Sequence, residues 1–209
     1  MLEIILNLEL IFIIDMLAAV SFAVSGALVA SRKGLDIIGF MWLAVITGVG
    51  GGTVRDLVLD VPVFWIVDPT HIIACLITAA IMFFVAPVIA SRHKQVLWFD
   101  ALGLALVTVV GTVKGLEADT GPLIAVVMGV TTASVGGIIR DVVGGEQSII
   151  MRREIYVTAA VAGGLTYIGL EAIGFSGIIA AIASFMTTFI IRGLAINYNW
   201  SLPNHKIGS

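Results

Sequence analysis

The chain has 209 residues, of which 59% are hydrophobic and only 12% charged, with a formal net charge of −3 and a mean hydropathy of +1.12. Soluble domains carry about 25% charged residues, so this composition excludes a soluble fold and indicates an all-α integral membrane protein. The apolar runs approach the ~20 residues that a helix needs to cross a ~30 Å hydrocarbon core, and the short alternating segments of a membrane β-barrel are absent. No enzyme activity and no nucleic-acid partner are expected; membrane lipid is the surrounding medium.

The N-terminus, Met1-Leu2-Glu3-Ile4, has no basic region ahead of its apolar run, which reads as a retained helix and not a cleaved signal peptide. Seven apolar spans follow, over about 9–31, 35–59, 70–90, 96–116, 121–143, 155–172 and 174–195. Eight basic residues fall on one side when the loops alternate: Arg32, Lys33, Arg92, Lys94, Arg152, Arg153, Arg192 and Lys206. Only Lys114 falls on the other, where it reads as a snorkelling anchor, and Arg55 and Arg140 lie inside spans. The positive-inside rule then puts the N-terminus outside and the C-terminus in the cytoplasm, as for a protein of a prokaryotic inner or plasma membrane. Cys75 has no disulfide partner, and His71, His93 and His205 form no metal cluster. No cofactor is expected, and no metal beyond a transient monovalent cation.

A repeat at an offset of 85 residues organises these spans. Asp15 matches Asp100, Gly26 matches Gly111, and Thr47 matches Thr132; Gly51, Gly52, Arg55 and Asp56 match Gly136, Gly137, Arg140 and Asp141. Each copy holds three spans, an odd number, so the second copy lies upside down relative to the first. Residues 1–209 therefore read as one membrane domain: a first three-helix repeat over 7–91, an inverted second over 92–173, a seventh helix over 174–195 and a cytoplasmic tail over 196–209. Inverted 3+3 repeats hold their working site near the interface of the two halves.

Two features of the repeated unit carry chemistry. Gly50, Gly51 and Gly52 are expected to act as a hinge, because each costs about 1 kcal/mol relative to Ala inside a helix, and Gly136 and Gly137 repeat the device. Carbonyls loosened there, with hydroxyls from Thr47, Thr131, Thr132 and Ser134, suit a path that replaces a cation's hydration shell. Gly26 and Gly111 are instead assigned to close helix packing, and Ser21, Ser25, Gly163, Gly164, Gly177, Ala180 and Ser184 to helix contacts. The second feature is charge, since an ionisable group in the bilayer faces the bundle interior and has a partner. Asp15 and Arg55 come level if their spans are antiparallel, as do Asp100 and Arg140, and Asp56 and Asp141 can cap or compete for the same arginines. Two roles fit these pairs equally, a helix lock and an ion-attracting gate.

The doubled Gly-Gly-x-x-Arg-Asp motif, with Ser25-Gly26-Ala27 in the first span, resembles the bacterial and archaeal branch of the trimeric intracellular cation channel family over nearly the whole chain. The resemblance implies a homotrimer with a pore in each subunit, lined by the second and fifth spans, that conducts potassium in preference to sodium. Animal members carry a Lys-Glu-Val motif tied to lipid binding; the comparable place here reads Lys114-Gly115-Leu116, so the resemblance does not extend to lipid regulation. The same domain has also been described as a glycine-transporter domain, and a secondary transporter of glycine or another small amino acid is the rival reading. Under the channel reading, Asp15 and Asp100 attract cations and Arg55 or Arg140 stops them.

Overall fold

A computed structural model describes residues 2–89, 92–148, 151 and 155–202; Arg152, Arg153, His205 and Lys206 lie outside the described residues. Among the described residues eight α-helices follow one another: α1 (Leu2–Arg32), α2 (Ile37–Val58), α3 (Phe64–Val67), α4 (Thr70–Val85), α5 (Arg92–Glu117), α6 (Pro122–Val143), α7 (Val157–Ala172) and α8 (Gly177–Tyr198). Local signals set several of their ends. The Asp36 side chain accepts a hydrogen bond from the Gly39 N–H at 2.8 Å, satisfying one of the free donors at the start of α2. Gly121, at φ +81°, turns the chain into Pro122, the first residue of α6, where the missing proline N–H costs nothing.

Among the described residues six helices are long and apolar enough to cross a bilayer, and α7 is shorter. Its 16 residues rise about 24 Å, less than the ~30 Å hydrocarbon core. Two further differences from the expected spans have local causes. The third span ends as a helix at Val85 and continues as a 3₁₀ turn over Ala86–Val88, because Pro87 has no N–H with which to continue the α-helical ladder. The connection before it contains α3, a single turn that hydropathy does not single out.

Helix α5 is the central element, packed on α1, α6, α7 and α8, and 67% of its apolar window is buried against 28% for α4, which faces outward. Buried side chains at the helix contacts are small: Ala18, Ala23, Ala27, Ala44, Ala101, Ala105, Ala133 and Ala159 are all fully enclosed. Such residues let backbones approach closely where lipid supplies no hydrophobic drive for association. Ile77, Phe84, Leu123 and Ile182 project outward from the bundle and suit contact with acyl chains.

Charge placement agrees with the alternating topology in one respect and departs from it in another. Arg32 at the end of α1 pairs with Glu146 after α6 at 3.1 Å, and Lys33 donates to the Gly145 carbonyl at 3.4 Å, so these two helix ends lie on the same side. Arg192, counted above among the basic loop residues, is instead buried in α8. Its guanidinium lies over the Tyr156 ring at 5.2 Å and donates to the Ile155 carbonyl at 3.3 Å. The long side chain reaches from α8 to the residues that lead into α7, a partner that loop counting does not reveal.

Candidate functional site

Helices α2 and α6 cross at the centre of the bundle through a reciprocal glycine contact. A Cβ on Gly51 would overlap the Thr132 carbonyl, and one on Gly136 would lie 2.6 Å from the Thr47 carbonyl. Both residues in each contact are related to those in the other by the 85-residue offset. The flanking contacts repeat in the same way: Gly26 of α1 meets Leu43, Ala44 and Thr47, while Gly111 of α5 meets Met128, Gly129 and Thr132. Gly26 and Gly111 thus serve close packing, as expected.

The expected helix break at the glycines is not found. α2 runs uninterrupted through Gly50, Gly51 and Gly52, and α6 through Gly136 and Gly137. The reason lies in the crossing: at Gly51 and Gly136 the absent side chain admits a neighbouring backbone, so the helical propensity lost is offset by contact. Gly52 receives the edge of Phe64, whose Cε1 would lie 2.6 Å from an added Cβ. Gly137 faces Asp100, Tyr156 and Arg140, and Gly50 meets only the tip of Ile139. The hydroxyls of Thr47 and Thr132 donate to the carbonyls four residues earlier, Leu43 at 2.5 Å and Met128 at 2.6 Å, and Ser134 is buried with an unbonded hydroxyl.

Between the crossing helices is a cavity of about 10 Å³, lined by Asp15, Phe22, Thr47, Gly51, Phe64 and Thr132 among others. That is space for about one water. Two acid–base groups lie near it, one from each copy of the repeat, and the two differ. In one, Arg140 is fully engaged: Nη1 donates to Asp100 at 2.5 Å and also to the Ser25 hydroxyl, while Nε and Nη2 reach Asp141 at 2.9 and 2.7 Å. In the other, Arg55 donates only through Nε, to Asp56 at 2.7 Å. Its Nη2 is 4.0 Å from Asp15, and both terminal nitrogens are buried without a hydrogen bond. The second Asp56 oxygen accepts the Phe64 N–H at 2.9 Å, and Arg55 lies 5.6 Å from the Phe64 ring centre.

Both expected pairs are therefore formed, and all six charged residues are buried. Three participants were not assigned from the residues alone. Ser25 passed as a packing residue, and Phe64 lies on the unpredicted α3. Tyr156, whose hydroxyl donates to the Ala133 carbonyl at 3.1 Å, is the 85-residue counterpart of His71, and that offset was the one available signal. Among the described residues, no group of three His, Cys, Asp or Glu side chains comes together to hold a metal.

Comparison with known proteins agrees with this geometry. The family model described as Glycine transporter matches twice, over residues 12–87 and 97–172, again 85 residues apart. A UPF0126 membrane protein of Vibrio cholerae is 39% identical over 97% of this chain and 85% of its own length. The UPF0126 inner membrane protein YadS of Escherichia coli is 38% identical over 95% of this chain and 97% of its own. Among solved structures, the trimeric intracellular cation (TRIC) channel orthologue from Rhodobacter sphaeroides superposes with a TM-score of 0.89 at 45% identity, covering 91% of this chain and 99% of that one. With the doubled motif, the buried charge pairs and these likenesses together, the chain belongs to the Glycine transporter family of membrane proteins, the family it shares with the prokaryotic TRIC channels.

Proposed function

We propose that the chain is a channel for monovalent cations, with a preference for potassium, whose pore runs within each subunit along α2 and α6 and is closed at the Gly51–Thr132 and Gly136–Thr47 contact. Three such subunits form a homotrimer, in keeping with the trimeric cation channel it resembles. The reciprocal contact also supports an inverted repeat, with a first half over 7–91 and a second over 92–173, because each glycine meets the offset partner of the other's neighbour. The N-terminal side is outer, the Arg32, Lys33 and Arg92 side cytoplasmic.

The observation that carries the reading is the narrow cavity at the crossing of α2 and α6, lined by Asp15 and with Asp100 packed against Gly137, next to the lining residue Gly136. Asp15 and Asp100 attract cations into the two vestibules. The oxygens of Thr47, Thr132 and Ser134 and the backbone at Gly50, Gly51, Gly52, Gly136 and Gly137 form the constriction, which transmits ions when α2 and α6 separate slightly. Asp141 helps hold Arg140 in place with two hydrogen bonds, while Asp56 accepts a single one from Arg55. Arg55, with two unbonded nitrogens, is the arginine free to move, and Arg140 is the anchored one.

The family model's description favours a second reading, a glycine transporter. Glycine needs a cationic group for its carboxylate and an anionic group for its ammonium in one pocket. The central cavity, at about 10 Å³, has room for one water, and Asp15 is the charged residue lining it. Liposomes loaded with potassium decide between the two. Gradient-driven K⁺ flux without ionophore, faster than that of Na⁺ and without glycine uptake, is the expected result; saturable glycine uptake without ion leak would overturn it.

A further inference from the structure

His71, near the start of α4, is buried to 3% exposure, and neither ring nitrogen has a hydrogen-bond partner. The imidazole is held between two aromatic edges, with the Phe64 ring centre 4.8 Å away and that of Phe12 5.2 Å away. Phe64 is the same side chain that fills the space at Gly52 and lies against Arg55. The charges acting on the ring are Asp15 of α1, Asp68 ahead of α4, Lys114 of α5 and Arg55 of α2. Of these, Asp68 is partly exposed, and the Thr70 hydroxyl and N–H that donate to it hold its carboxyl below the ordinary range, so it stays charged throughout the neutral region.

The other half of the repeat supplies the contrast. At the position equivalent to His71 stands Tyr156, buried and bonded to the Ala133 carbonyl, beside the fully engaged Arg140. An ordinary phenol does not titrate near neutral pH, whereas an imidazole does, with an unperturbed midpoint of about 6.5. One half of the molecule thus has a locked arginine with a non-titrating neighbour, and the other an under-bonded arginine with a titratable one.

We propose that His71 is the proton-sensing residue of the Asp15–Arg55 gate, and that its protonation opens the gate. The proposal rests on the channel reading above. A neutral ring leaves Asp15 to Arg55 and lets Phe64 seat against Gly52. An imidazolium competes for the Asp15 carboxylate and repels the Arg55 guanidinium, and both effects draw Arg55 away from Asp15. Because Phe64 packs on both cationic groups, it leaves Gly52 as they separate.

The test is potassium flux from liposomes with equal pH on both sides. Flux through the unmodified protein rises at least roughly tenfold as the pH is lowered from about 7.5 to about 5.5, as an imidazole gains its charge. His71→Gln abolishes that ratio, and His93→Gln, on the opposite side beside Arg32, leaves it intact. An equal pH ratio in His71→Gln, or no ratio in the unmodified protein, overturns the proposal. A second measurement stands apart from conduction: imidazole NMR of the full chain in nanodiscs, with His71 assigned by His71→Gln. The ring is expected to titrate, with a midpoint that moves in Asp15→Asn. A ring that does not titrate, or is indifferent to Asp15, overturns the proposal whatever the flux. A ring that titrates and responds to Asp15 in a protein passing no cation overturns the channel reading and leaves the proton-sensing assignment standing.

Discussion

Arg140→Ala is expected to cost about 3–5 kcal/mol of stability, the usual loss when one partner of a buried ion pair is removed. The substitution leaves two carboxylates, Asp100 and Asp141, buried without their cation, and it removes the bond to Ser25 that ties α6 to α1. Arg140→Lys recovers only part of the loss, because a single ammonium cannot reach Asp100, Asp141 and Ser25 as a planar fork does. Arg55→Ala behaves differently. Its guanidinium makes one hydrogen bond where that of Arg140 makes four, so the loss of stability is expected to be the smaller of the two and the larger change to be in flux. Thermal survival of folded protein in detergent, measured beside potassium flux in liposomes, separates the two. Equal loss of fold in both variants would make each pair a helix lock, and full stability of Arg140→Ala would remove its anchoring role.

Gly51→Ala is expected to destabilise the protein by about 1–3 kcal/mol through overpacking, and Gly136→Ala by a comparable amount. In each case the added methyl meets a backbone carbonyl of the facing helix, which cannot rotate away as a side chain can. Helices α2 and α6 must therefore separate, and potassium leak rises along with the loss of stability. Gly50→Ala is the control. Its methyl meets only the flexible tip of Ile139, so stability is unchanged or rises by up to the ~1 kcal/mol that alanine gains over glycine in a helix. If Gly50→Ala and Gly51→Ala behave alike, the hinge reading of the triple glycine returns.

Much of the site was legible in the residues alone, and the reason is physical. Hydropathy over ~20 residues reports the solvent directly, because each helix must satisfy its own backbone in lipid. The 85-residue offset relates Asp15, Arg55 and Asp56 to Asp100, Arg140 and Asp141, and the cost of charge in a membrane demands that these groups find partners. Pairing could then be inferred from depth along antiparallel spans. What the residues could not tell is what lies across a helix contact. A glycine that loosens a helix and one that admits a neighbouring backbone look the same in a string of letters; only the crossing of α2 with α6 assigns Gly51 and Gly136 to the second kind. Arg192 passed as a loop charge because Tyr156, on which it lies, is 36 residues away and just ahead of another helix. The two arginines of the repeat carry the same motif, yet Arg140 has Ser25 and a close Asp100 while Arg55 has neither a serine nor a close Asp15. That inequality arises from side-chain distances of a few ångströms between helices distant in the chain, which only the tertiary packing decides.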